Sequence, residues 1–170
     1  MFGMNKKKLQ LLPHNPLWKE DFQAEKERII SAVQDSTIQI EHVGSTSIPN
    51  IHAKPILDLA ILCGEKGLEV IVNALKNLGY DYRGQFDDEI GHFYAVLDKG
   101  DIRLCQAHIY SEKTADWFSK LKFRNVLSQN AELAKEYNDY KLQLAETVSS
   151  KGEYAEIKDK WVDSFIIKVL

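Results

Sequence analysis

The chain has 170 residues, 44% of them hydrophobic and 28% charged, with a formal net charge of −3. That length and balance suit one soluble globular domain with a proper core, and the slight acidity argues against a dedicated nucleic-acid binder, whose domain is usually basic. No apolar run approaches the length of a membrane span and residues 1–12 lack a signal-peptide hydrophobic stretch, so no membrane partner is expected and the cytoplasm is the expected compartment.

Residues 8–12 read as a short strand, ended by Pro13 and the Asn15-Pro16 turn. Residues 18–33 carry Trp18, Phe22, Ile29, Ile30 and Val33 at helical spacing behind a charged outer face. Residues 37–43 alternate apolar and polar side chains, the pattern of a half-buried strand, and Gly44 ends it. Residues 55–63 form a near-continuous apolar run in which Asp58 is the only charged side chain. Period-2 alternation sets Asp58 beside Ile56 and Ala60, opposite Leu57, Leu59 and Ile61. Residues 68–78 predict a helix with Leu68, Ile71, Val72, Leu75 and Leu78 on one side and Gly79 as its stop. Residues 80–83, 91–97 and 102–110 predict strands, the last two joined by a hairpin at Asp98-Lys99-Gly100-Asp101. Helices over residues 114–127, 131–147 and 154–169 follow. Cys63 and Cys105 each fall inside a buried strand, where a thiol acts as a small hydrophobe; they suggest neither a disulfide framework nor a zinc site. The order predicts an α+β fold, a mixed β-sheet flanked by helices with a helical C-terminal extension, in one domain over residues 1–170.

The chemistry concentrates between two of these strands. Gly44-Ser45-Thr46-Ser47 offers backbone N–H groups, a permissive backbone position and three hydroxyls within reach of an anion. Lys54 follows it, and a carboxylate in an apolar strand, as at Asp58, must be paired, bound to metal or at a wet edge. The same residues also suit an ordinary Ser/Thr turn with Asp58 capping a helix or pairing with Lys54 or an arginine. Alternation over residues 102–110 puts Leu104, Gln106 and His108 on one face, and His108 reads either as a site residue or as a satisfied strand histidine. Arg124 could aim a guanidinium at a phosphate or carboxylate, and Tyr137 and Lys141, one helical turn apart, share a face.

The run Glu41-His42-Val43-Gly44-Ser45-Thr46-Ser47-Ile48-Pro49, with Lys54-Pro55-Ile56-Leu57-Asp58, closely resembles the GrpB family, which is grouped with the DNA polymerase beta-like nucleotidyltransferases. Asn15-Pro16-Leu17-Trp18, Leu78-Gly79-Tyr80 and Phe123-Arg124-Asn125-Val126-Leu127 resemble further signatures of that family, as do Tyr137 with Lys141 and Tyr154 with Lys158. The resemblance implies a nucleotidyltransferase-like sheet and a nucleotide site made by Gly44, Ser45, Thr46, Ser47, Lys54, Arg124 and Lys141. It implies catalytic roles for Asp58 and His108, and a Mg²⁺ or Mn²⁺ ion held by Asp58 with Glu41 or His108. Three positions depart from the pattern: Ala60 stands where a second carboxylate is expected, Gln106 where a histidine is usual, and Asn125 where an aspartate is usual. Two functions therefore stay open. One is transfer of a nucleotidyl group from a bound nucleotide with a divalent metal. The other is non-catalytic or regulatory binding of a phosphorylated metabolite, such as a nucleotide or a coenzyme A precursor, by a protein that has lost the two-metal site.

Overall fold

The computed structural model describes residues 2–33, 38–86 and 89–169, with side chains to residue 166. Strands β1 (Met4–Asn5), β2 (Gln39–Val43), β3 (Leu57–Leu62), β4 (Tyr80–Gln85), β5 (His92–Lys99) and β6 (Ile102–Tyr110) make one mixed sheet in the order β2-β3-β6-β5-β4, with β1 paired to the start of β6. Among the described strands only β3 and β6 run parallel. A parallel pair needs a long crossover, and here it consists of helix α2 (Leu68–Asn77) with strands β4 and β5.

Alternation along the strands divides the sheet into an apolar and a polar face. Leu57, Leu59 and Ile61 of β3 join Cys105, Ala107 and Ile109 of β6 under helix α1 (Leu17–Val33) and α2, in the main apolar core. α1 starts where Asn15 Oδ1 accepts the Leu17 N–H at 3.1 Å, with Pro16 preset for the first turn. α2 stops at Gly79, whose φ of 90° lies in the left-handed region. A buried carboxylate ties the two helices together: Glu25 accepts from Arg28 and, at 2.6 Å, from the Tyr80 hydroxyl, while Arg28 donates to Leu78 O. The apolar pattern had given no sign of Glu25, because a buried carboxylate depends on partners distant in sequence.

The opposite face carries Val43, Asp58, Ala60, Gln106 and His108, in the registers Val43 to Asp58, Asp58 to Gln106 and Ala60 to His108. Helices α3 (Ala115–Gln129), α4 (Ala131–Thr147) and α5 (Lys151–Val169) serve this side. Thr114 Oγ1 caps α3 by accepting the Trp117 N–H, and Asn130 caps α4. Ile48 and Ile51, from the loop between β2 and β3, are buried among Phe123, Leu127, Tyr137 and Phe165. That cluster holds the helices against the loop.

The α+β class and the order of the main elements agree with the sequence pattern. The strand expected at residues 8–12 does not form. Pairing occurs instead at Met4–Asn5, and residues 8–12 contribute a single bridge, Leu12 to Ala53, beyond which Pro13 lacks the N–H that a ladder requires. Position 37, the expected start of the second strand, lies outside the described residues. The last helix starts earlier than expected, at Lys151 rather than 154. No helix among the described residues is long and apolar enough to cross a membrane.

Leu59 is fully buried in the main core. Leu59→Ala is expected to lower unfolding free energy by about 2–5 kcal/mol, read by urea denaturation; a loss below about 1 kcal/mol would show that the two-helix cover does not close over this position.

Candidate functional site

The site begins with a close approach of two backbone segments. Val43 faces Asp58 across the β2–β3 ladder, and the chain turns away at Gly44 with φ 69° and ψ −176°, a conformation open in practice to glycine alone. A Cβ on Gly44 would sit 2.9 Å from both Cβ and Cγ of Asp58 and closer still to its Oδ2. Residues Ser45–Ser47 then form one tight helical turn.

The three hydroxyls of the turn have different uses. Ser47 Oγ donates to Gly44 O at 2.6 Å and closes the turn on itself. Thr46 is buried, its Oγ1 donating to Ile56 O at 3.3 Å and lying 2.9 Å from His42 Nε2. His42 stacks on Phe22 on the far side of the sheet, and burial, with Arg124 and His14 adding to it, pushes its pKa down to about 4. It is neutral at pH 7. Ser45 is the hydroxyl turned toward the C-terminal helices, 3.2 Å from Tyr137 Oη and 3.1 Å from Lys141 Nζ.

Above this turn opens a cleft of about 770 Å³, floored by the polar face of the sheet and roofed by α3, α4 and α5. Gly44, Ser45, Thr46, Lys54, Asp58, His108 and Lys141 all line it, together with Gln106, Asp116, Lys120, Tyr154, Lys158 and Asp159. Asp58 Oδ1 accepts from Gln106 Nε2 at 2.8 Å. Burial raises the Asp58 carboxyl, while Gln106 and the nearby lysines pull it back down in part. Ala60 gives no second carboxylate on β3, and the residue beside Asp58 on β6 is an amide. A pair of acids for two metal ions is therefore not assembled here.

The cations are the distinctive feature. Lys141 is buried; its Nζ donates to Ser45 Oγ and to His52 O and lies 4.4 Å from the Tyr137 ring centroid. Burial, reinforced by Lys158 and Lys54, pushes its pKa down to about 7. Lys54 Nζ lies 4.4 Å over the Tyr154 ring, and burial, with Lys158 and Lys151 nearby, pushes its pKa down to about 8. Among the described residues neither lysine has a carboxylate within ion-pair distance. Lys158 behaves differently: burial opposes its charge, but its acidic neighbours, the paired Asp159 at 2.8 Å and Asp58 among them, outweigh that and hold its pKa above the usual lysine range. Lys120 is paired with Asp116 at 3.0 Å.

Glu41 and Arg124 are not brought to the cleft. Arg124 Nη1 donates to Glu41 Oε2 at 2.8 Å and to His42 O at 2.9 Å, so the two residues latch α3 to β2. Burial would raise the Glu41 carboxyl, and the bonds from Arg124 and Gln39 more than offset it. Neither residue is left free to meet a phosphate or a metal in this arrangement. Ser47 is likewise not among the cleft-lining residues, for the reason given by its own hydrogen bond.

Sequence reasoning missed a second polar cluster. His92 on β5 donates Nδ1–H to Glu89 Oε2 at 2.7 Å and lies 3.6 Å from Asp116 Oδ2, and the three offer ligand atoms within 4.8 Å of one another. A divalent ion could be held there. His92 Nε2 and His108 Nδ1 lie 2.9 Å apart, so one proton between them joins the two rings. Burial, helped by Lys120 and His92, keeps His108 well below the usual histidine pKa. The signal for His92 was present only as alternation on β5; what joins it to His108 is the β5–β6 register, with His92 opposite Tyr110 and Tyr94 opposite His108.

A mixed sheet carrying a glycine-serine turn and a strand aspartate at its cleft is consistent with a nucleotidyltransferase-like core. The family model described as GrpB protein matches residues 8–168, and the chain belongs to the GrpB family. It is 30% identical over 174 residues to the glutamate-rich protein GrpB of Alkalihalophilus pseudofirmus, covering 98% of both chains. It is 33% identical over 159 residues to the UPF0157 protein YqkA of Bacillus subtilis, covering 92% of this chain and 46% of that one, so it spans about half the length of that relative. The crystal structure of the conserved protein GrpB from Enterococcus faecalis superposes with a TM-score of 0.83 at 29% identity, covering 94% of this chain and 96% of that one.

Two outcomes follow from the site. Gly44→Ala is expected to displace Asp58 and lower unfolding free energy by at least about 1–3 kcal/mol, measured by denaturant titration; an unchanged midpoint would show that the β2–β3 approach tolerates a side chain. The second concerns pH. Lys141 and Lys54 have folded pKa values below the 10.5 of an ordinary lysine, so the unfolded chain binds more protons above pH 7 and their contribution to stability rises with pH. Cys63 and Cys105, pushed by burial to about 11 and about 12, act in the opposite sense at higher pH. Tm in an anion-poor buffer should thus climb between about pH 7 and 8.5, with a shallower climb in Lys141→Met. A wild-type Tm that falls over that range contradicts the assignment.

Proposed function

We propose that this protein binds a phosphorylated small molecule, nucleotides included, with its phosphate against the Gly44–Ser45 turn and between Lys54, Lys141 and Lys158. The observation that carries this reading is the pair Lys54 and Lys141: two lysines, one of them fully buried, that line the same cleft as a glycine-serine turn and have no acidic partner among the described residues. Buried cations without counter-ions are unfavourable. A phosphate supplies the missing negative charge, and the turn adds backbone N–H groups and the Ser45 hydroxyl. The 770 Å³ of the cleft suits a ligand of nucleotide size.

A second reading, nucleotidyl transfer with Mg²⁺ or Mn²⁺, draws on one observation: Glu89, His92 and Asp116 sit together and connect through His108 to the same cleft. A set of one imidazole and two carboxylates suits Mn²⁺ better than Mg²⁺, which prefers oxygen ligands and retained water. In that reaction an acceptor oxygen would bond to the α-phosphorus of a nucleoside triphosphate as pyrophosphate leaves. The metal would neutralise phosphate charge.

Titration calorimetry with ATP, GTP, CTP and UTP, each with and without Mg²⁺ or Mn²⁺, separates the readings. Metal-independent binding, weakened about tenfold or more in Lys54→Ala and kept in Asp58→Ala, is the expected result. Binding that requires metal and is lost in Asp116→Ala, which removes one of the three candidate ligands, would favour transfer over simple binding. No binding of any nucleotide, and none of inorganic phosphate or pyrophosphate, would overturn the proposal.

A further inference from the structure

We infer that the cleft takes up its anion together with a proton, and that the Lys141 side chain is the main acceptor of that proton. The inference rests on the phosphate-binding reading above and adds a property that simple binding does not require.

The geometry around Lys141 Nζ is asymmetric. Two acceptors on the protein side, Ser45 Oγ and His52 O, engage two of its N–H bonds. Lys141 lines the cleft, with the Tyr137 ring 4.4 Å from its nitrogen, and among the described residues no polar atom engages the third position on that nitrogen. That position is a lone pair in the amine and an N–H in the ammonium form. The charged and titratable groups that meet Lys141 come from every element packed around it: Lys54 from the loop before β3, Lys158 from α5 and Tyr137 from α4 itself. Two of these are cationic. Tyr137 is fully buried and its hydroxyl is raised above the ordinary tyrosine range by that burial, so it stays neutral and supplies no counter-charge at pH 7.

An empty cleft therefore favours the amine form of Lys141, whose pKa stands near 7. A phosphate against the Gly44–Ser45 turn reverses the balance, because its charge favours the ammonium and its oxygen accepts the third N–H. Raising the pKa on binding means that protons enter with the anion whenever the pH lies between the free and bound values. At pH 7.5 a lysine of pKa about 7 lacks roughly three-quarters of a proton, while Lys54, near 8, lacks only about a quarter. Lys158 is already charged and takes up none. Because uptake accompanies binding, affinity should fall as pH rises above 7, by about tenfold per pH unit near pH 7.5 and more steeply above it, where Lys54 has also lost its proton.

The test is calorimetry of ATP binding without added metal at pH 7.5, in PIPES, HEPES and Tris, whose ionisation enthalpies differ. The observed heat should vary linearly with buffer enthalpy at a slope of about one proton taken up. Lys141→Met, which keeps length and removes the amine, should lower the slope by roughly three-quarters; the difference between the two proteins cancels any proton that ATP itself exchanges. Lys141→Arg, permanently charged, should bind with the same reduced slope. Should the methionine variant fail to fold, the arginine variant and the wild-type buffer series still decide the matter. Binding with no buffer dependence overturns this inference and leaves the phosphate-binding reading intact. Uptake unchanged in both variants overturns the assignment to Lys141. Absence of binding overturns both readings.

Discussion

The space where a side chain would project from residue 44 is already filled by the carboxylate of Asp58. Much of the site follows from that exclusion. It fixes glycine at the end of β2, and glycine permits a backbone angle that turns the chain sharply into Ser45. The sharp turn sends Ser47 back onto Gly44 O, buries Thr46 against His42, and leaves Ser45 facing the helices. Asp58 is held in the same contact, with Gln106 on its other side. The anion cradle and the carboxylate are thus one packing unit.

The rest of the site comes from far along the chain. Ser45 and Lys141 are 96 positions apart, yet their polar atoms are 3.1 Å apart. Two devices close that distance. Ile48 and Ile51 enter the apolar cluster of α3, α4 and α5, so the loop that leaves the turn is also the seat of the helices. The Arg124–Glu41 ion pair then fixes α3 against the edge of the sheet. These attachments place Lys54, Lys141 and Lys158 in one cleft although no stretch of sequence groups them. Three ammonium groups close together repel one another, and the cleft holds them in unequal states: Lys158 charged beside Asp159, Lys141 and Lys54 pushed toward neutrality.

What the sequence could reveal follows from the range of the interactions involved. Alternation on buried strands is enforced by the core, so the sequence pairs Asp58 with Ala60 on one strand and Gln106 with His108 on another, and the register then sets the two pairs side by side. Helix stops and starts carried by Gly79 and the Asn15-Pro16 turn are local and were legible for the same reason. The strand expected at residues 8–12 does not form because a strand needs a partner edge, and the edge of β6 is met earlier, by Met4 and Asn5. Arg124 was placed on the right helix, but its partner was not foreseen: an arginine chooses among acids by tertiary position, and Glu41 was nearest. His92, Glu89 and Asp116 come from a strand, the turn before it and a helix, with no shared periodicity to mark them. Departures such as Ala60 and Gln106 were visible as departures, and the structure shows their consequence in a single carboxylate hydrogen-bonded to an amide.

The separation of the main core from the cluster under the C-terminal helices also orders events in time. The main core is complete once β6 has been synthesised, since each of its buried residues lies at or before Ile109 in the chain. The cleft at that stage has its floor, its turn and Lys54, and lacks a roof. Lys141 and Lys158 emerge from the ribosome only afterwards, with α4 and α5. A nascent or proteolytically shortened chain that ends after β6 therefore retains a hydrophobic nucleus while presenting Asp58 to open solvent, where its charge would discourage the anions that the finished cleft is built to hold.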